Sequence, residues 1–319
     1  MNRAVFCYSI KNSRACGSVV EHVPDKNGVE GSIPSTRTMA LEIKENEQLK
    51  NHSSFRIGGP ARYFVVVKNK EEILEAIKFT EEKKLKYFIL GGGSNVLFSD
   101  NGLDGVIIKI ENCKLKIENS KIIAGSGTLL SQIMMAATEA GLSGLEWGIG
   151  IPGTIGGCVA GNCGAFGKSI SESVKKIKTL DKEYSKEECE FEYRNSKFKK
   201  PSNPEIITEV ELELQPRDKE IIKTQISNNL AQRKDRIPPY PSIGCIFKNP
   251  KPLAAGSLID QCGLKRTRIG DAQISDLHAN IIVNIGNAKA QDVLELIKLC
   301  KKKVKEKFGV DLEEEIVVI

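Results

Sequence analysis

Two glycine clusters carry the first chemical signal in this chain. Eight glycines fall between Gly148 and Gly167, in the stretch GIGIPGTIGGCVAGNCGAFG. A shorter cluster, Gly91-Gly92-Gly93-Ser94-Asn95, follows the apolar run Tyr87-Phe88-Ile89-Leu90. Glycine loses more backbone freedom on folding than any other residue, so a cluster needs a local cause. At a strand end, successive backbone N–H groups can form a concave nest for an anion such as a phosphate. A tight turn is the alternative, although three glycines followed by Ser-Asn exceed what a turn requires. Neither G-x-G-x-x-G nor G-K-[ST] is present there, so neither dinucleotide-binding fingerprint nor Walker loop is indicated. The longer segment carries apolar spacers at Ile149, Ile151, Ile155, Val159 and Ala160. They suit packing on a flat ring of the isoalloxazine or adenine kind. A glycine-rich Ω-loop packed on itself is the competing reading. Two glycine loops together suggest a ligand with two ends, such as a dinucleotide.

Other reactive side chains narrow the options. Nine cysteines occur, an odd number, with no C-x-x-C and no second pair at zinc-finger spacing beside Cys158 and Cys163. Only three histidines exist, so no metal site is expected. With no signal peptide evident, reduced thiols in a cytoplasmic protein are expected. A net charge of +6 favours an anionic ligand. Aromatic residues make up 6 % and do not interleave with basic ones, so nucleic acid is not an expected partner. No apolar run is long enough to span a bilayer, and membrane insertion is not expected. A monomer is the default.

These loops need elements to hold them. Residues 62–68 read as a strand, 71–84 as an amphipathic helix and 87–90 as a second strand that ends in the short glycine loop. Short strands are expected at 106–110 and 121–124, and a helix at 131–140 that stops at Gly141. Strands at 174–180 and 206–214 follow the long glycine segment. A polar helix over 218–236 is broken by Pro238, Pro239 and Pro241. Further elements are a helix at 254–262, a strand at 279–284, a long helix at 289–308 and a closing strand at 315–319. Boundaries are expected near Pro216 and Gly309. Residues 1–38 mix Ser, Asn, Arg, Gly and Pro without a sustained period or an apolar signal-peptide core. Two readings stay open for them: a disordered extension, or a segment resembling a conceptually translated RNA gene, with translation starting at Met39. N-terminal mass spectrometry separates the two.

Seven segments in fixed order resemble one family. They are FRIGGPARYFV (55–65), LGGGSNVLFSD (90–100), GIPGTIGGCVAGNCGAFG (150–167), YRNSKFK (193–199), PSIGCIFKNP (241–250), AGSLIDQCGLK (255–265) and LEEEIVVI (312–319). The set is similar to the UDP-N-acetylenolpyruvoylglucosamine reductases, which make UDP-N-acetylmuramate for bacterial peptidoglycan. The likeness covers residues 40–319 and no part of 1–38. It implies an α+β chain: a two-subdomain FAD-binding module of the vanillyl-alcohol oxidase (PCMH) type, about 39–108 and 109–216, then an α+β substrate-binding domain, 217–308. A C-terminal strand, 309–319, closes the chain. It also implies non-covalent FAD, NADPH as hydride donor, and UDP-N-acetylenolpyruvylglucosamine as substrate. The FAD pyrophosphate would lie on the glycine loops, with contacts from Gly91, Gly92, Gly93, Ser94, Asn95, Ile151, Gly153, Thr154, Gly156, Gly157 and Asn162.

The same resemblance assigns the reacting groups. Hydride addition to an enol ether conjugated to a carboxylate builds charge that an electrophile must stabilise. The family's Tyr-Arg-x-Ser motif puts Arg194 in that role, and its planar fork suits a carboxylate. Taken alone, Arg194 reads as a surface ion-pair residue. The enolate needs a proton donor. Most members carry Ser in Gly-Ser-x-Phe-Lys-Asn-Pro, and this chain has Cys245 instead. A thiol is protonated at neutral pH and more acidic than a hydroxyl, so the role survives the change. A lone Cys otherwise reads as a small core residue. The family's closing Leu-Glu-x-Glu motif selects Glu315 to orient the reacting enolate, in a run where Glu313 and Glu314 would be solvated. Arg236, Lys248, Asn249 and His278 are expected to meet the diphosphate and carboxylate of the substrate. His278 reads equally as a structural histidine. No insertion lies between Tyr193 and Pro216, which matches the shorter subclass without a substrate-contacting tyrosine loop. The rivals are another FAD oxidoreductase of this fold, acting on a hydroxy acid or alditol, and a non-catalytic nucleotide-binding protein. The histidines at 22, 52 and 278 lie outside both glycine loops, which argues against the histidine-tethered flavin of the first rival.

Overall fold

The computed structural model describes residues 41–199 and 205–319, so the readings of residues 1–38 and of a start at Met39 lie outside the described residues. The first layer is a four-stranded sheet in the order Ile43–Gln48, Pro60–Val67, Leu103–Ile110, Tyr87–Leu90. Its first pair is antiparallel and the other two are parallel. The helix Lys70–Glu82 is the crossover between two of these strands, and Asn69 caps it by accepting from the Glu72 amide at 2.9 Å. Such a cap contributes about 1 kcal/mol. Ile73 and Ala76 turn to the sheet, where they meet Val65, Val106 and Ile108. This layer ends Tyr87–Leu90 at the short glycine loop.

A five-stranded antiparallel sheet forms the second layer: Glu183–Ser185, Val174–Thr179, Ile207–Glu213, Lys121–Gly125, Leu115–Glu118. The helix Leu130–Glu139 and the short helix Ile155–Ala160 cover it with Leu130, Ile133, Ile155 and Val159, all fully buried. The third layer has a three-stranded sheet, Arg268–Ile269, Ala272–Ile274 and Ile282–Asn284, under the helices Ala255–Gln261 and Ala290–Phe308. Phe55, Ile57 and Leu97 from the first layer reach into its core. Asp100, at the end of the LGGGSNVLFSD motif, accepts from the Ala290 and Gln291 amides at 2.9 and 3.2 Å. A carboxylate from one layer thus caps and charge-matches a helix of another.

Three expectations shift. A boundary near Pro216 would group the helix Lys219–Lys234 with the third layer, yet it packs on the second. Ile226 joins that core, and the buried Asn229 donates to the Glu146 carbonyl at 2.9 Å. The proline run at 238–241 is therefore the physical break. The strand at 279–284 forms a ladder over Ile282–Asn284, preceded by a single bridge from Ile281 to Cys245, because Ser275 Oγ accepts from the Leu277 and His278 amides and holds a turn before it. At the C-terminus, only Val317–Val318 forms a ladder, parallel to Val96–Leu97. The edge strand Ile43–Gln48 escapes the sequence reading, because its sequence IKENEQ is charged and mostly exposed.

Candidate active site

The short glycine loop is built for close backbone approach. Gly93 has φ +65°, and a Cβ there would stand 1.9 Å from the His52 carbonyl oxygen. A Cβ on Gly92 would meet the Gly153 backbone at 3.0 Å, and one on Gly91 would meet Thr154 Oγ1 at 2.5 Å. The two glycine segments therefore touch, and Ser94 Oγ donates to the Pro152 carbonyl at 3.0 Å. Among the described residues, no amide from Gly91 to Asn95 donates to a protein acceptor. That leaves a strand-end run of five backbone donors, the arrangement an anionic group requires. His52 floors this loop with its carbonyl, while its ring stacks on Phe64 and contacts Glu47.

The longer segment behaves differently. Gly150 and Gly153 have positive φ, but residues 155–160 are helical. Its first amides are spent inside the protein: Ile155 on the Thr128 carbonyl (2.8 Å), Gly156 on the Ser126 carbonyl (2.9 Å), Gly157 on Thr154 Oγ1 (3.4 Å). Gly156 is small because a Cβ would press on Ser126 Cβ at 2.8 Å. The amides of Gly156 and Gly157, two of the expected cofactor contacts, therefore have protein acceptors. Gly157 does leave open surface, and Ile149 and Ile151 remain half-buried beside it. Ile155 and Val159 are fully buried core residues and present no face to a flat ring. Asn162, expected at the cofactor, is buried with both ends of its amide engaged: Nδ2 donates to the Glu192 carbonyl at 2.8 Å, and Oδ1 accepts from the Ser171 amide at 3.3 Å. Its work is to anchor the next loop.

That loop is the two-residue turn Tyr193–Arg194. Glu192 and Asn195 exchange backbone hydrogen bonds across it at 3.0 and 3.2 Å. Arg194 sits at φ +57°, a conformation that costs a side-chain-bearing residue about 1 kcal/mol or more. Its guanidinium Nη2 donates to the Gly164 carbonyl at 2.9 Å, and Nε lies 3.0 Å from Glu315 Oε1. The Nε–H is buried and poorly aligned on that oxygen, so the contact is an ion pair with a donor left to spare.

Glu315 arrives from the C-terminal segment, which runs beside Ile246–Lys248. The Glu315 amide donates to the Ile246 carbonyl at 2.8 Å, and the Lys248 amide to the Glu313 carbonyl at 2.9 Å. Glu313 pairs with Lys248 and Glu314 with Lys301, each at 2.5 Å, while Glu315 turns inward to Arg194. Burial pushes the Glu315 carboxyl above the usual carboxylate range, against the pull of Arg194, Lys199 and Lys248. The Asn95 side chain donates to the Glu315 carbonyl at 3.2 Å, which ties the short glycine loop to this segment.

Cys245 bridges to Ile281, and Asn280 locks the adjoining chain through Phe247 N to Oδ1 (2.9 Å) and Nδ2 to Phe247 O (2.8 Å). Burial and then Glu315 push the Cys245 thiol up to about 11, while Arg194 and Arg233 pull it down. It is a thiol at neutral pH. Cys245 opens onto a cavity of about 320 Å³ lined also by Asn249, Ser257, Lys265, His278 and Asn280. Asn249 Oδ1 accepts from the Ala255 amide at 3.0 Å, and its own amide donates to Tyr193 Oη at 3.3 Å. His278 is kept neutral by burial and by Arg236 nearby, and its Nδ1 accepts from the Asn280 amide. Arg236 itself is exposed.

Arg194 and Glu315 thus face Cys245, Asn249 and His278 share the cavity of Cys245, Lys248 runs beside the Glu315 segment, and Asn95 ties the short glycine loop to that segment. Sequence reasoning passes over Arg233, Lys199 and Tyr193. Arg233 donates to the Ile149 carbonyl and lies over the Phe166 ring. Its only signal is a place one turn before Arg236. Tyr193 and Lys199 stand inside a motif in which Arg194 draws the attention. Among the described residues no cluster could hold a metal ion, and no helix is long and apolar enough to cross a membrane. The seven cysteines among the described residues are all free thiols.

Residues 61–183 match the FAD binding domain model, which spans both layers that meet at the glycine loops. Residues 236–319 match the C-terminal domain of UDP-N-acetylenolpyruvoylglucosamine reductase, and the match begins just past the helix Lys219–Lys234. The reductase of that name from Clostridium novyi is 40 % identical over 285 residues, 87 % of this chain and 92 % of that protein. Its namesake from Bacillus subtilis is 37 % identical over 286 residues, 87 % and 94 % of the two chains. The crystal structure of the enzyme from Thermus caldophilus superposes with a TM-score of 0.74 at 36 % identity, covering 88 % of this chain and 99 % of that one. With an FAD-binding module and that C-terminal domain on one chain, this protein belongs to the UDP-N-acetylenolpyruvoylglucosamine reductase family.

Proposed function

We propose that this chain reduces UDP-N-acetylenolpyruvylglucosamine to UDP-N-acetylmuramate with NADPH as the hydride source, a step of peptidoglycan synthesis, working as a cytoplasmic monomer. The observation that carries the reading is the Arg194–Glu315 ion pair facing the protonated Cys245, which opens onto a cavity, with a loop of free amides tied to the Glu315 segment through Asn95. The residues fit FAD: amides of Gly91–Asn95 would take its pyrophosphate, and the open surface at Gly157 would take a flat ring. When bound, FAD supplies the hydride that it accepts from NADPH.

The chain's own groups do the rest. Arg194 offers its fork to the substrate carboxylate, where charge grows as hydride adds to the far end of the double bond. Cys245 Sγ gives a proton to the carbon that bears the carboxylate. A thiol near 11 holds its proton until that carbon becomes basic, and Arg194 and Arg233 ease its departure. Glu315 holds Arg194 by the ion pair and faces Cys245, so it sets the orientation of both. The cations Arg194, Lys199, Arg233 and Lys248 outnumber Glu313 and Glu315, an excess suited to a carboxylate and a diphosphate.

The test is direct. Purified protein should carry a non-covalent flavin spectrum and oxidise NADPH only when UDP-N-acetylenolpyruvylglucosamine is present. Colourless protein without substrate-dependent turnover would overturn the reading.

A further inference from the structure

Lys199 stands at the junction of every part of this site. Its Nζ donates to the Arg194 carbonyl at 3.2 Å and to the Glu315 carbonyl at 3.3 Å, across 116 residues of chain. The same Glu315 carbonyl accepts from Asn95 of the short glycine loop. One ammonium thus joins the second layer to the C-terminal segment at the two residues that face each other.

We infer that Lys199 is a positioning residue: its ammonium holds the strained Arg194 turn and the Glu315 segment in the opposition that the proposed reaction needs. Stability does not explain it. Lysine is seldom buried, and this one lies half-buried among two like charges, Lys248 and Arg194, and two carboxylates, Glu315 and Glu313, with burial the largest influence on it. Burial and Lys248 hold its pKa below the ordinary lysine value. An uncharged residue would cost less there. What the charge does is clamp the carbonyl of a residue at φ +57° and place a second cation by Glu315. The groups facing Glu315 are Arg194 from the turn, Lys199 from the following residues, Lys248 and the Cys245 thiol from the adjacent strand, and the Cys163 thiol from the long glycine segment. On its own segment Glu313 pairs with the same Lys248 and acts on Lys199, while Glu314 pairs with Lys301.

This inference rests on the proposed reaction for its consequence but not for its test. The Glu315 carboxyl is titrated by carbon-13 NMR in flavin-free protein, with its signal assigned by loss in Glu315→Gln. In Lys199→Met the midpoint should move to higher pH, since a facing cation is gone, and Lys199→Arg should bring it back. An unmoved midpoint in Lys199→Met overturns the inference. In the holoenzyme, the substrate step of Lys199→Met should slow about 10²-fold in kcat, as misplacement by an ångström does. Lys199→Arg should recover most of that loss, and a substrate step of wild-type speed in Lys199→Met contradicts the role. If Lys199→Met fails to fold, Lys199→Gln, which keeps donors without charge, takes its place in the titration: a raised midpoint supports the role and an unmoved one overturns it. Wild-type protein without turnover would sink the proposed reaction and leave the titration as the measure of Lys199.

Discussion

The two glycine segments look alike in sequence and do opposite things with their amides. In Gly91–Asn95 the backbone donors are left free, and each glycine is small because another part of the chain comes within touching distance. In the denser segment the amides of residues 155–157 are satisfied internally, and Gly156 is small so that a helix can lie on Ser126. Glycine density reports close packing. Whether the packing partner is a ligand or the protein depends on where the N–H groups go, a question of hydrogen-bond accounting.

Single added methyl groups can break or sharpen that contrast. The largest effect is expected for Gly93→Ala, where φ is +65° and the new Cβ would stand 1.9 Å from the His52 carbonyl. The loop must move, and flavin affinity measured by fluorescence should fall by roughly 5- to 150-fold, the equivalent of the 1–3 kcal/mol stored by such backbone positions. Wild-type affinity would refute the cradle. Gly156→Ala comes next: overpacking on Ser126 should cost about 1–3 kcal/mol in urea unfolding while flavin affinity stays within a few-fold. Gly157→Ala is the mildest. Its Cβ meets only Thr154 Oγ1 at 3.7 Å, within a helix, so stability should hold or rise by up to about 1 kcal/mol. A fall in flavin affinity for this variant would mark the surface over Gly157 as ligand space and narrow the difference between the two segments.

Glu315 tests the same contrast between fold and site. Its folded pKa is raised, so the native state binds the proton more tightly than the unfolded chain. Stability from this group is therefore greatest below the unfolded carboxylate pKa and is lost as pH rises through the folded value. Glu315→Gln should keep or gain melting temperature at pH 7 relative to wild type, with the difference fading in acid, while the substrate step falls by about 10²-fold. A large loss of stability at pH 7 would recast Glu315 as a structural ion-pair partner.

Much of the fold is legible because its strands and helices carry clean periods, as in the helix Lys70–Glu82 and the strand Ile207–Glu213. The charged edge strand Ile43–Gln48 is not, since an edge in water need not be apolar. Nor is the attachment of the helix Lys219–Lys234, whose few buried contacts, Ile222 and Asn229, leave a weak apolar stripe. In the site, Arg194, Cys245 and Glu315 are visible only through motif context, because one Arg, one Cys and one acidic run have commoner explanations. Asn162 shows the limit of letters, since an Asn among glycines reads the same whether its amide meets a ligand or, as here, the Glu192 carbonyl. Lys199 stays hidden because backbone carbonyls, its partners, leave no trace in a sequence.

The central claim is that the Cys245 thiol delivers the proton to substrate, and rapid-mixing of reduced enzyme with UDP-N-acetylenolpyruvylglucosamine tests it most directly. Cys245→Ser should retain substantial reoxidation by substrate, and Cys245→Ala should lose it by about 10²–10⁴-fold, the contribution of a positioned acid, with flavin reduction by NADPH unchanged in both. The wild-type rate should hold through neutral pH and fall only as the thiol titrates near 11. An alanine variant that reoxidises at the wild-type rate would contradict the account and assign the proton to another group.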